Sequence, residues 1–163
     1  MITSLVGMTG TVNAASPGYV LNDVITSNTS RNSVIWSVYT KKYGKITLTQ
    51  GWYDFFNERG FGRSKIYWKH EFYSQASVNA VKWTVEYPQQ VWPRIDDVGN
   101  PDGYVFVKWF DSTYPSPNAT RIAVFTNGLG QVITAYPISG AGASESPSVC
   151  PAFIDTGYYS PQY

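Results

Sequence analysis

The chain has 163 residues, of which 43% are hydrophobic, 17% aromatic and 14% charged. This length suits one domain with a sizeable core, and the scarcity of charge excludes disorder along the whole chain. The formal net charge is +1, so overall charge does not by itself identify a nucleic-acid binder. The chain has one histidine and one cysteine, Cys150. These counts exclude an intrachain disulfide, a cysteine-based zinc cluster and a multi-histidine metal site.

The first 31 residues are small, polar and irregular, and we predict a flexible leader over residues 1–31. Its segment "MITSLVGMTGTVNAAS" ends like a signal-peptide cleavage region but lacks a cationic start and a long apolar run. We therefore identify no clear signal peptide in this chain. No apolar run approaches the roughly 20 residues that a transmembrane helix needs, so no membrane span is expected.

Residues 32–139 are predicted to form a single α+β domain. The segment begins with a strand at "SVIWSVYT", a turn at "KKYGK" and a second strand at "KITLTQ", where Ile46 and Leu48 alternate with polar residues. A short helix is predicted next over "QGWYDFFNER", because Thr49 can cap its start and Gly60 stands where a left-handed stop is expected.

A glycine-rich connection, "GFGRS", follows, and it lacks the lysine and the hydroxyl residue of a phosphate loop. We interpret "KIYWKHEFY" as a strand or a loop edge. The segment "SQASVNAVKWTVEY" is predicted to be a helix, because Val78, Val81 and Val85 lie on one helical stripe and Pro88 ends it. We predict that "PQQVWPRIDDVGNPDG" is a long, turn-rich connector.

Two β-rich segments close the predicted domain. "YVFVKWF" is typical of a strand, and "RIAVFTNGLGQVITAYPI" is typical of a hairpin whose β-branched runs flank the turn "NGLG". Residues 140–163 are rich in Gly, Ser and Pro, which predicts a tail or a lid. This order of elements indicates an α+β fold in which two short helices of the N-terminal half pack on a small antiparallel β-sheet.

Charge is distributed unevenly along the chain. The segment from Lys41 to His70 holds seven cations and two anions, whereas the segment from Glu71 to the end holds four cations and eight anions. A basic centre inside a mildly acidic chain is typical of a local anion site. A solvated hairpin rich in lysine would give the same pattern, and the sequence does not decide between the two interpretations.

The basic centre contains the only histidine, His70, which directly follows Lys69. Cleavage of RNA without a metal needs a base for the 2′-hydroxyl proton, cations for the charged phosphorane and an acid for the departing 5′-oxygen. His70 is the natural base or acid, because imidazole titrates near neutrality. Glu71 is a weaker partner, because neighbouring residues on a strand face opposite ways. The alternative is that His70 is a surface or core residue without a chemical role.

Further residues complete the candidate site. Arg63, Lys65 and Lys69 are candidates for binding the phosphate, since they are the cations nearest to the histidine in the chain. A hydroxyl at the edge of a strand, from Thr134 or Tyr136, is suited to donate to a phosphate oxygen. None of these roles involves a metal or another cofactor.

The order of elements and several short motifs resemble a known group of ribonucleases. The chain has a helix opened by "LTQ", a basic stretch ending in "KH", a helix running into "YPQQVW", a strand, and a hairpin closing on "VITAYP". This pattern is similar to that of the barnase–EndoU–colicin E5/D–RelE group, and most of all to the toxin-type ribonuclease domains of bacterial polymorphic toxins and phage-linked effectors. The resemblance covers roughly residues 46–138.

The resemblance implies a metal-independent endoribonuclease that leaves a 2′,3′-cyclic phosphate. It also implies that His70 faces Thr134 and Tyr136 of the last hairpin, with the "T-x-Y" ending as the matching motif. A second catalytic histidine is absent, so an EndoU-type histidine pair is excluded. The implied partners are RNA, with tRNA among the candidates, and an acidic immunity protein. A monomeric toxin that is secreted or delivered into a target-cell cytoplasm is expected.

Two other functions are compatible with the composition. A non-catalytic, aromatic-rich β module would bind carbohydrate through tryptophans stacked on sugar faces, although most tryptophans of a small domain serve its core. A phage or virion structural component would use the polar leader and tail as assembly arms. The six tryptophans are Trp36, Trp52, Trp68, Trp83, Trp92 and Trp109.

Overall fold

The structure is a computed structural model, and it describes residues 30–113, 119–138 and 149–161. These residues form strands and three helices. The strands are β1 Val34–Thr40, β2 Gly44–Thr49, β3 Trp52–Asp54, β4 Arg59–Phe61, β5 Gln90–Ile95, β6 Pro101–Ser112, β7 Ala119–Thr126, β8 Val132–Ile138 and β9 Tyr159–Pro161. The helices are α1 Gly62–His70, α2 Gln75–Glu86 and α3 Ala152–Asp155.

The largest sheet is antiparallel, with the strand order β5-β6-β7-β8. Strand β9 pairs with the C-terminal end of β6, where Phe110 lies opposite Pro161. It lies on the same side of β6 as β5, past the part of β6 that β5 pairs with. The hairpins β1–β2 and β3–β4 form two smaller sheets. The predicted α+β class with an antiparallel sheet is confirmed, and the β1–β2 and β7–β8 hairpins lie where the sequence predicts them.

The core lies on one face of the main sheet. Strand alternation puts the side chains of Phe106, Phe110, Ile122 and Val124 on that face, and all four are fully buried. Helix α2 packs against them with the predicted stripe of Val78, Val81 and Val85. The β1–β2 hairpin adds further apolar side chains. The hairpin contributes Trp36, Val38, Ile46 and Leu48. Since burying one such side chain stabilises a fold by about 1.5–3 kcal/mol, this apolar cluster is the main source of stability.

Residues 149–161 belong to the packed fold, although the sequence places them in the predicted tail. Ile154 is fully buried in the core. The Oδ1 atom of Asp155 accepts the N–H of Ser74 and the hydroxyl of Ser77, both at 2.8 Å. Because the Ser74 hydroxyl also accepts the N–H of Ser77 and thereby caps α2, this C-terminal segment holds the start of that helix.

The helix predicted over residues 50–59 is wrong, because this segment is the β3–β4 hairpin. Asp54 organises the turn: its Oδ1 atom accepts the N–H of Phe56 at 2.9 Å, and its Oδ2 atom accepts the side-chain amide of Asn57 at 2.7 Å. Such local bonds offer the backbone an alternative to helical hydrogen bonds. Gly60, expected to end a helix, pairs instead with Tyr53 across the hairpin.

Helix α1 occupies the segment predicted to be a glycine-rich connection followed by a strand or loop edge, so that prediction is also wrong. The buried face of α1 is partly polar, because it includes Arg63, Ser64 and His70. The segment therefore lacks the apolar stripe by which a helix is recognised in a sequence. Internal bonds compensate for this burial; for example, the Ser64 hydroxyl accepts the side-chain amide of Gln50 at 3.2 Å. The helix ends at Glu71, whose backbone is left-handed with a φ of 59°.

The segment predicted to be a turn-rich connector contains strand β5, so the prediction is wrong for residues 90–95. Gln90 lies opposite Val107, and Pro93 lies opposite Tyr104. Proline is compatible with this strand because β5 lies at an edge of the sheet.

Two predicted segments fall partly beyond the described residues. The residues beyond are 1–29 for the leader and 140–148 and 162–163 for the tail; residue 139, the last of the predicted domain, also lies outside the described ranges. Within the three described ranges, no helix has the length and apolar character needed to cross a membrane.

Gly62→Ala should destabilise the fold more than Gly44→Ala. Both glycines have a φ of +73°, so both substitutions impose a left-handed backbone cost of about 1–2 kcal/mol. A Cβ atom at Gly62 would also meet the Thr49 carbonyl oxygen at 2.6 Å, whereas nothing lies within 4 Å of one at Gly44. We expect a further loss of about 1–3 kcal/mol at Gly62, measured by urea denaturation. Equal losses would contradict the close packing of the first turn of α1.

Candidate active site

The structure brings His70, Thr134 and Tyr136 together. Helix α1 packs against strand β8, and its last residue, His70, lies against Tyr136 with a ring-centroid separation of 5.1 Å. Thr134 precedes Tyr136 by two residues on β8, so the two side chains lie on the same face of the sheet. The structure therefore places His70 in contact with Tyr136, and Thr134 on the same strand face as Tyr136.

Neighbouring groups hold this cluster in place. The ring of Tyr136 stacks on that of Phe125, with centroids 4.9 Å apart and an interplanar angle of 19°. The carbonyl oxygen of His70 accepts the N–H of Cys150 at 2.7 Å, which ties the end of α1 to the C-terminal segment. His70 is only 4% exposed. Its immediate surroundings are therefore protein side chains and not bulk water.

The Thr134 hydroxyl is unusual in its hydrogen bonding. Its Oγ1 atom is buried and has no hydrogen-bond partner among the residues that the structure describes. A buried hydroxyl usually has a partner, because leaving one unpaired costs about 1–3 kcal/mol. The Thr134 hydroxyl is thus a buried donor without a partner among the described residues.

Arg63 does not fit the phosphate-binding role that its position in the sequence suggests. Its side chain is 2% exposed, and its guanidinium donates to the carbonyl oxygens of Phe72 and Tyr73. The guanidinium carbon also lies 5.3 Å from the centroid of the Tyr67 ring. Because these groups enclose the cation, Arg63 secures the turn that follows α1, and we remove it from the set of phosphate ligands.

Lys65 and Lys69 lie one helical turn apart on α1, and only one of them is in an ion pair. The Nζ atom of Lys69 lies 2.6 Å from Oε2 of Glu58 in the β3–β4 turn. No described acidic residue pairs with half-buried Lys65. Burial, and then the charge of Lys69, lowers the pKa of Lys65. Of the two lysines, Lys65 is consequently the one without an ion pair to a described residue.

Glu58 is a residue of this site that the sequence analysis missed. The hydrogen bond and charge of Lys69 lower its pKa, and the charges of His70 and Lys65 act in the same direction. Glu58 has a left-handed backbone, with a φ of 51°. No sequence pattern identified it, because the predicted helix over residues 50–59 placed Glu58 far from a turn tip.

The face of the main sheet that carries Thr134 and Tyr136 is rich in aromatic side chains. Register puts Trp92, Trp109, Arg121 and Phe125 on this face. The Arg121 guanidinium lies 5.1 Å from the centroid of the Trp109 ring, directly across the β6–β7 pair. Helix α2 covers the opposite face. We call this surface the aromatic face; it consists of Trp92, Trp109, Arg121, Phe125, Thr134 and Tyr136.

Exposed tryptophans do not form one carbohydrate-binding surface. Trp36 is buried, whereas Trp68, Trp83 and Trp92 are 39%, 37% and 45% exposed. The exposed three stand on α1, α2 and β5, and α2 lies on the side of the sheet opposite the aromatic face. The structure does not favour a continuous row of stacked sugars over these three rings.

The described ranges contain no group of three or more His, Cys, Asp or Glu residues arranged to hold a metal ion. Comparison with known proteins adds no assignment. No family model, no curated protein and no solved structure matches the chain.

Glu58→Gln should lower the pKa of Lys69, because the hydrogen bond from Lys69 to Glu58 is the largest cause that raises it. The stabilising effect of the pair should be present above the ordinary glutamate pKa of 4.5 and lost as pH falls through the lowered pKa of Glu58. An NMR titration of the Lys69 side chain measures the shift. Asp96→Asn is the matched control, because Asp96 is a carboxylate that bonds within the β5–β6 turn, away from Lys69. An unchanged Lys69 pKa in Glu58→Gln would contradict the ion pair.

Proposed function

We propose that the chain is a metal-independent endoribonuclease that cleaves RNA by transesterification to a 2′,3′-cyclic phosphate. The observation that carries this proposal is the contact between His70 and Tyr136, with Thr134 on the same face and Lys65 on the same helix as the histidine. These groups supply a proton carrier, hydroxyl donors and a cation, which are the components that this reaction requires.

The proposed reaction has one displacement at phosphorus. His70 takes the proton of the 2′-hydroxyl, the 2′-oxygen forms a bond to phosphorus, and the bond from phosphorus to the 5′-oxygen breaks. The departing 5′-oxygen receives a proton from the imidazolium or from water. Thr134 and Tyr136 donate to the non-bridging oxygens, and Lys65 stabilises the negative charge that develops on them.

Burial of the site supports this use of weak donors. Electrostatic interactions are stronger where water is excluded, so a hydroxyl and an ammonium group contribute more there than at an exposed surface. His70 is almost fully buried, and Oγ1 of Thr134 is buried as well. The lowered pKa of Lys65 reflects the same desolvation.

The aromatic face supports RNA as the ligand. Bases stack on aromatic rings without regard to sequence, and arginine binds both bases and phosphates. Trp92 is 45% exposed, and Trp109 with Arg121 forms a cation–π pair on the same face as the proposed catalytic residues. A strand of RNA crossing this face would lie next to His70.

The biological setting follows as part of the same proposal. The resemblance to the barnase–EndoU–colicin E5/D–RelE group suggests a toxin or effector domain that acts as a monomer in a target cell. An RNA substrate such as tRNA and an acidic immunity protein are the proposed partners. An acidic surface would complement the basic segment from Lys41 to Lys69 and block the site in the producing cell.

Cleavage should persist in EDTA, because the proposed reaction uses side-chain proton transfer and lysine charge. The experiment incubates the purified chain with total RNA in EDTA and identifies the 3′ ends of the products by mass spectrometry. We expect 2′,3′-cyclic phosphates. Identically purified His70→Asn protein controls for a contaminating ribonuclease. Activity that appears only after Mg²⁺ or Zn²⁺ is added would refute the mechanism.

His70→Asn should slow cleavage by about 10²–10⁴-fold, the usual contribution of a general acid or base. Thr134→Ala and Tyr136→Phe should slow it by smaller factors, since each removes one donor to the phosphate. Tyr39→Phe is a control that removes an exposed hydroxyl on β1.

Because His70 is buried, the melting temperature of each variant is measured on the same sample as the rate. A stable His70→Asn protein with full activity would overturn the site assignment. Loss of activity only in proportion to loss of folded protein would show that His70 has a structural role.

A further inference from the structure

A small cleft lies between the turn of the β1–β2 hairpin and the β5 edge of the main sheet. It has a volume of about 200 Å³ and is lined by Lys42, Tyr43, Val91, Pro93 and Tyr104. This volume is below the roughly 300–1,000 Å³ of sites for drug-sized ligands. The cleft therefore suits one planar ring, with any attached charged group outside it.

Core packing holds the walls of the cleft in place. The rings of Tyr43 and Tyr104 contact each other, with centroids 4.8 Å apart, and the ring of Tyr43 packs edge-on against buried Phe106 at 5.3 Å. Val91 and Pro93 belong to β5 and pair with β6. A ring entering the cleft would meet preformed aromatic and aliphatic surfaces, which reduces the entropic cost of binding.

The mouth of the cleft is positively charged. The Nζ atom of Lys42 lies 5.2 Å from the centroid of the Tyr43 ring, and Lys41 and Lys45 stand in the same hairpin. None of these three lysines forms an ion pair with an acidic residue in the described part of the chain. Lys42 is the lysine that lines the cleft, whereas the Nζ atom of Lys45 lies 5.7 Å from the centroid of the Tyr39 ring. An unpaired cation beside two contacting tyrosine rings complements a ligand that is both aromatic and anionic.

The cleft is separate from the proposed active site. Tyr104 shares a sheet face with Phe106, and Phe106 lies in line with Val124 and Ala135 across the strands. Ala135 stands between Thr134 and Tyr136, so its side chain points to the opposite face from theirs. A ligand in the cleft would not contact the aromatic face.

The geometry points to a nucleotide-binding site, with the base against Tyr104 and Pro93 and the phosphate on Lys42. The site does not depend on the proposed ribonuclease activity. Two kinds of ligand carry an aromatic base with a phosphate: a free mononucleotide, and one nucleotide of a polynucleotide. A mononucleotide has no internucleotide bond to cleave, so its binding is measured without turnover.

The test is a calorimetric titration of the full chain with AMP. Lys42→Gln and Tyr104→Leu should each weaken AMP binding by at least about 10-fold, which is 1.4 kcal/mol. Lys82→Gln, which changes a lysine of α2 outside the cleft, should leave the affinity unchanged. Melting temperatures show that each variant is folded. No saturable binding of AMP, or equal binding by Lys42→Gln, Tyr104→Leu and the unmodified chain, would overturn the proposal.

Competition experiments identify the source and the class of the ligand. The competition gives the affinity of a 2′-deoxyadenosine hexamer for the cleft. A hexamer that binds more tightly than AMP would assign the cleft to a polynucleotide, whereas a hexamer that binds more weakly would assign it to free nucleotides. Inorganic phosphate and a glutamate hexapeptide should compete at least about 10-fold more weakly than AMP, because neither provides a ring to stack. Competition as strong as that of AMP by either of them would overturn the nucleotide assignment.

Discussion

The packing of helix α1 against strand β8 is the constraint on which the candidate site depends. It brings His70, at the end of a helix, against Tyr136, which lies 66 positions later in the chain. The helix starts at Gly62, whose left-handed backbone lies against that of Thr49, and buried Arg63 bonds to the carbonyl oxygens that follow the helix. These contacts leave α1 little freedom to slide along β8, so the distance from imidazole to hydroxyls is set by the fold.

The distribution of charge follows from the same packing. Burial gives the three cations of α1 different roles: Arg63 is enclosed by carbonyl oxygens, Lys69 is paired with Glu58, and Lys65 is half-buried without an ion pair in the described part of the chain. Lys42 of the β1–β2 hairpin lies elsewhere, in a cleft beside the β5 edge of the sheet. A segment that is uniformly basic in sequence is therefore divided into a structural cation, an ion pair and two separate regions of positive charge.

Local chemistry made part of the fold predictable. Alternation of apolar residues identified the β1–β2 hairpin, the turn "NGLG" identified β7–β8, and the valine stripe identified α2. The same rules failed at residues 50–70. The hydrogen bonds of Asp54 turned a predicted helix into a hairpin, and α1 formed where its buried residues include Arg63 and His70, because tertiary contacts outweigh intrinsic propensity.

For the candidate site, the sequence by itself determined the residue types: a single imidazole, a nearby cluster of cations and the pair Thr134 and Tyr136, which strand alternation keeps on one face. Only the tertiary structure decided which of them meet. It excluded Arg63 through burial, added Glu58 through the β3–β4 turn and placed aromatic rings beside Tyr136 through strand register. Burial and contacts between distant segments depend on how the whole chain packs, and no local pattern of residues encodes them.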